Sequence, residues 1–90
     1  MRKVLKFNSV NYRKGFVEVL PNIHPNCINL ELWEVSALKD ISNVDFNDEN
    51  SLKDKDVIAN IELELSITET KELISELSKA IELVENAKNT

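Results

Sequence analysis

Residues 57–88 read VIANIELELSITETKELISELSKAIELVENAK, and a change of period inside this stretch decides the fold. Up to Leu65 the apolar residues alternate. Val57, Ala59, Ile61, Leu63 and Leu65 point one way, and Asn60, Glu62 and Glu64 the other. A period of two is a β-strand with one wet face. From Leu73 the spacing becomes four and three, through Leu73, Leu77, Ala80, Val84 and Ala87, with Ile74 and Ile81 beside them. That is one stripe of an amphipathic helix, with Glu72, Glu76, Lys79, Glu82 and Glu85 on the opposite side. Between the two patterns, Ser66 and Glu69 stand at the reciprocal positions of a capping box. Glu69 and Glu72 also suit the positive end of the helix dipole. The pattern predicts a strand over 57–65 and a helix over 67–87.

Further upstream, CINLELWEV (27–35) alternates in the same way, with Ile28, Leu30 and Leu32 on one face and Asn29, Glu31 and Trp33 on the other. If the leucine face is the core, continued alternation turns Glu34 inward and Val35 outward. A bulge or a strand end near Trp33 would repair this. The N-terminal third reads as a hairpin: KVLKFNSVNY, a turn at Arg13-Lys14-Gly15, then FVEVL. The only Gly of the chain falls where a hairpin turn wants positive φ. Two registers remain open, and in one of them Val10, Tyr12 and Phe16 share a face with Lys6. Pro21 and Pro25 bracket a loop, PNIHPN, that leads into the next strand. Residues 37–56 have no clear period and form a long acidic loop or partly ordered insertion, in which Ile41, Val44 and Phe46 make a short edge strand or anchor the loop. The expected fold is α+β in the order β-β-β, long loop, β-α. Four mostly antiparallel strands form one sheet, and the C-terminal amphipathic helix packs on one face.

Ninety residues suffice for a single small domain of modest stability, here residues 1–90. One cysteine, Cys27, excludes an internal disulfide framework and fits a reducing compartment. Lys6 interrupts the apolar residues near the start, so no secretory signal is expected, and no run approaches the roughly 18 apolar residues of a membrane span. The expectation is a soluble, cytoplasmic protein with no membrane contact. Charge is unevenly spread. Residues 1–25 carry five basic groups against one acid, and residues 26–90 carry six Lys against fifteen acids, for a net charge of −5. Abundant Lys, Asn and Ile with scarce Arg, Gly and Ala resemble an AT-rich bacterial or phage coding sequence.

Candidate chemistry is sparse. In VDFNDENSLKDKD (44–56), Asp45, Asn47, Glu49, Ser51 and Asp56 fall at the spacing of calcium-loop ligands. Asn50 then stands where the loop needs Gly, Lys53 repels a cation, and Asp56 is one methylene short of a bidentate Glu, so a polar connection or docking loop is the better reading. His24 and Cys27 are two ligands where structural zinc needs four, and a Cys–His nucleophile there would have no evident orienting partner. One Gly cannot make a phosphate-cradling loop. No cofactor, metal site or catalytic residue is expected.

What remains is a small acidic protein–protein interaction module without catalytic activity, including the case of a phage- or mobile-element-encoded inhibitor or regulator. Its candidate partner-binding residues are Trp33, Asp45, Asp48, Glu49, Asp54, Asp56, Glu62 and Glu64. A second reading is nucleic-acid binding by the basic hairpin through Arg2, Lys3, Lys6, Tyr12, Arg13, Lys14 and Phe16, because basic groups interleaved with aromatics hold single strands. A third is a homo-oligomer, such as a homodimer, built through an open strand edge or the helix.

Overall fold

The computed structural model of the protein describes residues 3–46 and 52–88. Four strands, β1 (Lys3–Phe7), β2 (Lys14–Pro21), β3 (Cys27–Val35) and β4 (Val57–Ser66), are followed by one helix, α1 (Ile67–Lys88). The strands form one antiparallel sheet in chain order, a meander. A 3-10 turn, Asp54–Asp56, precedes β4. The α+β order and the helix read from periodicity are therefore those observed.

The register settles the hairpin. Lys6 pairs with Phe16 and Phe7 with Gly15, so Lys6 and Phe16 share a face. Val10 and Tyr12 lie in the connection 8–13, exposed. The turn is thus earlier than Arg13-Lys14-Gly15, and Gly15 lies within β2 without positive φ. The reason for glycine is close approach: a Cβ there would stand 1.9 Å from the Trp33 carbonyl oxygen. At the other end, the β2–β3 turn uses left-handed Asn22 (φ 58) and Asn26 (φ 63). The Cys27 N–H donates to the His24 carbonyl at 3.1 Å around Pro25 and Asn26, the pattern of a type II turn.

The two faces of the sheet are treated differently. One carries Phe16, Trp33 and Val35, and the long loop lies over them. Ile41 (0% exposed) and Val44 are buried against Phe16 and Val35, with Val4, Trp33, Phe46 and Leu52 packed around them. No strand forms at Ile41–Phe46; these residues anchor the loop, as one of the two sequence readings has it. The core is therefore opposite to the leucine face. Alternation in β3 runs on unbroken, which leaves Glu34 exposed on the leucine side and buries Val35 under the loop. The irregularity expected near Trp33 lies in β4, where Glu34 pairs with Ala59 and Val35 with Val57, leaving Ile58 as the extra residue.

Polar contacts hold the loop down. Lys6 Nζ donates to the carbonyls of Val44 (2.7 Å) and Ser42 (3.1 Å) and lies 5.3 Å from the Phe46 ring centre. Asp40 Oδ1 accepts from the Ser42 N–H (2.9 Å) and from the Asn8 amide (3.0 Å). The Ser36 N–H donates to the Asp56 carbonyl at 2.7 Å and closes the loop base.

The helix begins directly after β4, and the capping box forms as expected. The Ser66 N–H donates to Glu69 Oε1 (2.9 Å) and the Glu69 N–H to Ser66 Oγ (3.1 Å). The helix packs against the sheet beside β3 and β4, at its root. Beyond that only Thr70, of residues 67–87, is even half-buried. The molecule is flat, 42 × 41 × 19 Å, with a radius of gyration of 15.3 Å. A compact chain of this length would have about 12 Å. The excess is the helix extending away from the sheet.

Candidate functional site

The leucine face of the sheet follows from pairing. Leu5 opposes Val17, Val17 opposes Leu32, and Leu32 opposes Ile61; one step along, Val19, Leu30 and Leu63 align in the same way. Side chains paired in register share a face, so apolar rows cross the strands. No described element covers them. Leu5, Phe7, Leu32, Ile61 and Leu63 are exposed, Val19 and Leu30 are half-buried, and only Val17, between Leu5 and Leu32, is buried. Beside Gly15 lies an open hollow of about 590 Å³, lined by Phe7, Arg13, Val17, Leu32, Glu34 and Ile61 among others.

The second apolar surface is on α1. At 100° per residue, Leu73, Ile74, Leu77, Ala80, Ile81, Val84 and Ala87 fall within one side of the helix. All of them are exposed. Leu83 is the one large apolar residue on the polar side. A 22-residue helix with a clean stripe is ordinary; a stripe left in water along its whole length is not.

The candidate partner-binding residues fall in several places. Trp33 is half-buried under the loop and stacked on Phe16, with ring centres 5.7 Å apart and planes 13° from parallel. Its indole N–H is buried and finds no acceptor among the described residues. Asp54 and Asp45 are exposed. Asp56 closes the loop: its carboxylate accepts from the Lys53 N–H (3.2 Å) and lies 3.9 Å from Lys39 Nζ. Asp48 and Glu49 lie outside the described residues. Glu62 and Glu64 stand on the loop-covered side, away from the loop itself. Glu62 opposes Glu31, and Glu31 opposes Glu18, a row of three carboxylates across three strands. Sequence reading missed Glu18 and Glu31 as its members, because only the register aligns them. Like charges in register cost stability; the Asn60 amide relieves part of it by donating to Glu31 at 3.3 Å. Glu64 is engaged by His24, whose Nδ1 donates to the carboxylate 2.8 Å from each oxygen, tying the β2–β3 turn to β4.

The basic candidates are divided. Lys3 is on the leucine face, in phase with Leu5, and Lys6 is on the other. Phe16 is buried between the rings of Trp33 and Phe46, the latter 4.2 Å away centre to centre. Tyr12 and Arg13 remain together in the exposed 8–13 connection, with half-buried Lys14 after them. Arg2 lies outside the described residues.

Two carboxylates have altered titration. The Ser42 backbone N–H, with the Ser42 hydroxyl and the Asn8 amide, holds Asp40 below the usual carboxylate range. The Ser66 backbone N–H and hydroxyl do the same for Glu69 at the helix cap. Both are explained by local hydrogen bonds that hold structure. Among the described residues, no three or more of His, Cys, Asp and Glu come together as a metal site, and no helix is long and apolar enough to cross a membrane. No protein-family model, curated protein or solved structure matches the chain.

Proposed function

We propose that the protein is a non-catalytic protein–protein interaction module whose binding surfaces are the leucine face of the sheet and the apolar stripe of α1. The observation that carries this reading is the exposure of both surfaces in one small chain. A monomeric protein rarely leaves more than a few hundred Å² of contiguous apolar surface in water, and larger patches mark places where another macromolecule binds. Acidity then plays a secondary part. Glu76 and Glu85 flank the helix stripe, where they keep the uncovered surface in solution and select the partner's charge. The nucleic-acid reading draws less support, because Phe16 is buried and Lys6 is spent on loop carbonyls.

The test is recovery of the tagged protein and whatever it holds from lysate of its own source, with nuclease. Wild type, Leu32→Lys/Ile61→Lys and Asp45→Asn/Asp54→Asn are compared. The expected result is a stoichiometric protein partner, its own copies included, kept by the Asp variant and lost by the Leu32/Ile61 variant. Nuclease-sensitive recovery, or loss in the Asp variant alone, would overturn this assignment of the surface.

A further inference from the structure

Resting on the reading that these two surfaces bind protein, we infer that the partner is a second copy of this chain, and that each copy lays its α1 stripe across the leucine face of the other. Four observations point to reciprocal exchange. The first is the junction. Ser66 ends β4 and Ile67 begins α1, with no residue between them. A strand followed by a helix that doubles back on its own sheet needs a connection of a few residues. Here the capping box joins helix directly to strand, and the stripe residues stay exposed instead of lying on their own leucine face. Reaching the face of a second copy needs no such connection.

The second is fit. From Leu73 to Ala87 the stripe runs about 21 Å at 1.5 Å per residue. Four strands about 4.8 Å apart present a face roughly 14 Å wide before side chains are added. The hollow at Gly15 gives this face a recess that can take one helix side chain. The third is area. Five large exposed side chains on the helix stripe and five on the sheet face are available. At roughly 100 Å² for each, the order that burying one aliphatic side chain removes, a protomer offers about 1,000 Å² and a reciprocal pair about 2,000 Å². That reaches the size of a stable interface, roughly 1,200–2,000 Å². A single one-way contact of about 1,000 Å² lies in the range of weak, transient association.

The fourth is charge. The helix carries five Glu against three Lys. The leucine face has Lys3 at its β1 edge and Arg13 beside the hollow, against one acid, Glu34, in the same lining, so its rim is net basic. Acidic flanks therefore meet a basic rim, and the uneven charge of the sequence acquires a use between two copies. Because each helix binds the other copy's sheet, the arrangement closes on a two-fold axis and does not propagate.

The experiment is mass in solution by sedimentation or light scattering at 5–200 µM protein, with three variants at exposed positions: Leu77→Lys on the stripe, Ile61→Lys on the sheet, and Leu83→Lys on the polar side of α1. Circular dichroism checks that each retains its helix. Wild type and Leu83→Lys are expected at twice the 10.3 kDa chain mass, and Leu77→Lys and Ile61→Lys at once. Mixing the two monomeric variants is decisive. The helix of Ile61→Lys fits the sheet of Leu77→Lys, so a heterodimer forms, weaker than wild type by more than tenfold. Wild type that stays monomeric overturns the second-copy partner but leaves the interaction reading to the recovery experiment. A wild-type dimer whose variants do not cross-rescue overturns the exchange in favour of helix-on-helix or sheet-on-sheet contact. Larger, concentration-dependent species overturn the closed pairing.

Discussion

On one face of the sheet Phe16 and Val35 are 5% and 1% exposed, and on the other Leu32, Ile61 and Leu63 are 41%, 54% and 51% exposed. The two sets lie on adjacent strands of one sheet, with Val35 and Leu32 both on β3. The better covered face is also the more polar one, since Lys6, Glu18, Glu31 and Glu62 share it with the aromatic residues. Burial here follows the covering segment. The loop carries Ile41, Val44 and Phe46 across one face, where Lys6 and Asn8 fasten it by hydrogen bonds. The other face has aliphatic side chains but no described segment above it.

Stability measurements separate the two faces. Phe16→Ala removes a ring from between Trp33 and Phe46 and is expected to cost about 3–5 kcal/mol, read by urea denaturation. Ile41→Ala should follow at about 2–5 kcal/mol. A loss below 1 kcal/mol at either position would mean that the loop does not make the core. Gly15→Ala should cost about 1–3 kcal/mol through the clash with the Trp33 carbonyl, even though the residue borders the uncovered side. On that uncovered side, Leu63→Ala should cost under about 1 kcal/mol in a chain held monomeric by Leu77→Lys, because little area leaves water there in the monomer. In the exchanged dimer the same change should weaken association by about tenfold.

The smallest effect is that of acid. Asp40 and Glu69 both titrate below their ordinary range in the folded chain. Their contribution is therefore present above the unfolded carboxylate pKa and is lost as pH falls through the lower folded values. Stability should decline only below about pH 5 on their account. Asp40→Asn should flatten the acid loss followed by Trp33 fluorescence, which reports the loop-covered face. Glu69→Gln should flatten the loss followed by helix ellipticity. Equal effects of both variants on both signals would show that the loop and the helix cap are one cooperative unit.

The order of strands, the helix and its Ser66–Glu69 cap were legible in the chain because each rests on contacts between residues a few positions apart. Period two, period 3.6 and a capping pair need no distant partner. The loop anchors Ile41, Val44 and Phe46 could also be picked out, as apolar residues isolated in a polar stretch. Three features depended on residues far apart in sequence. Gly15 was placed in a turn by its type, and only the pairing of β2 with β3 brings the Trp33 oxygen against it. Lys6 looked like a basic surface group until the loop carbonyls of Ser42 and Val44 came within its reach. The leucine face had every local sign of a core, yet alternation says only that two faces differ, and which one is buried depends on where the loop crosses and where α1 points. Local periodicity thus determined the elements and their order, while the tertiary structure decided which face became the interior, because covering a face takes a segment brought from elsewhere in the chain.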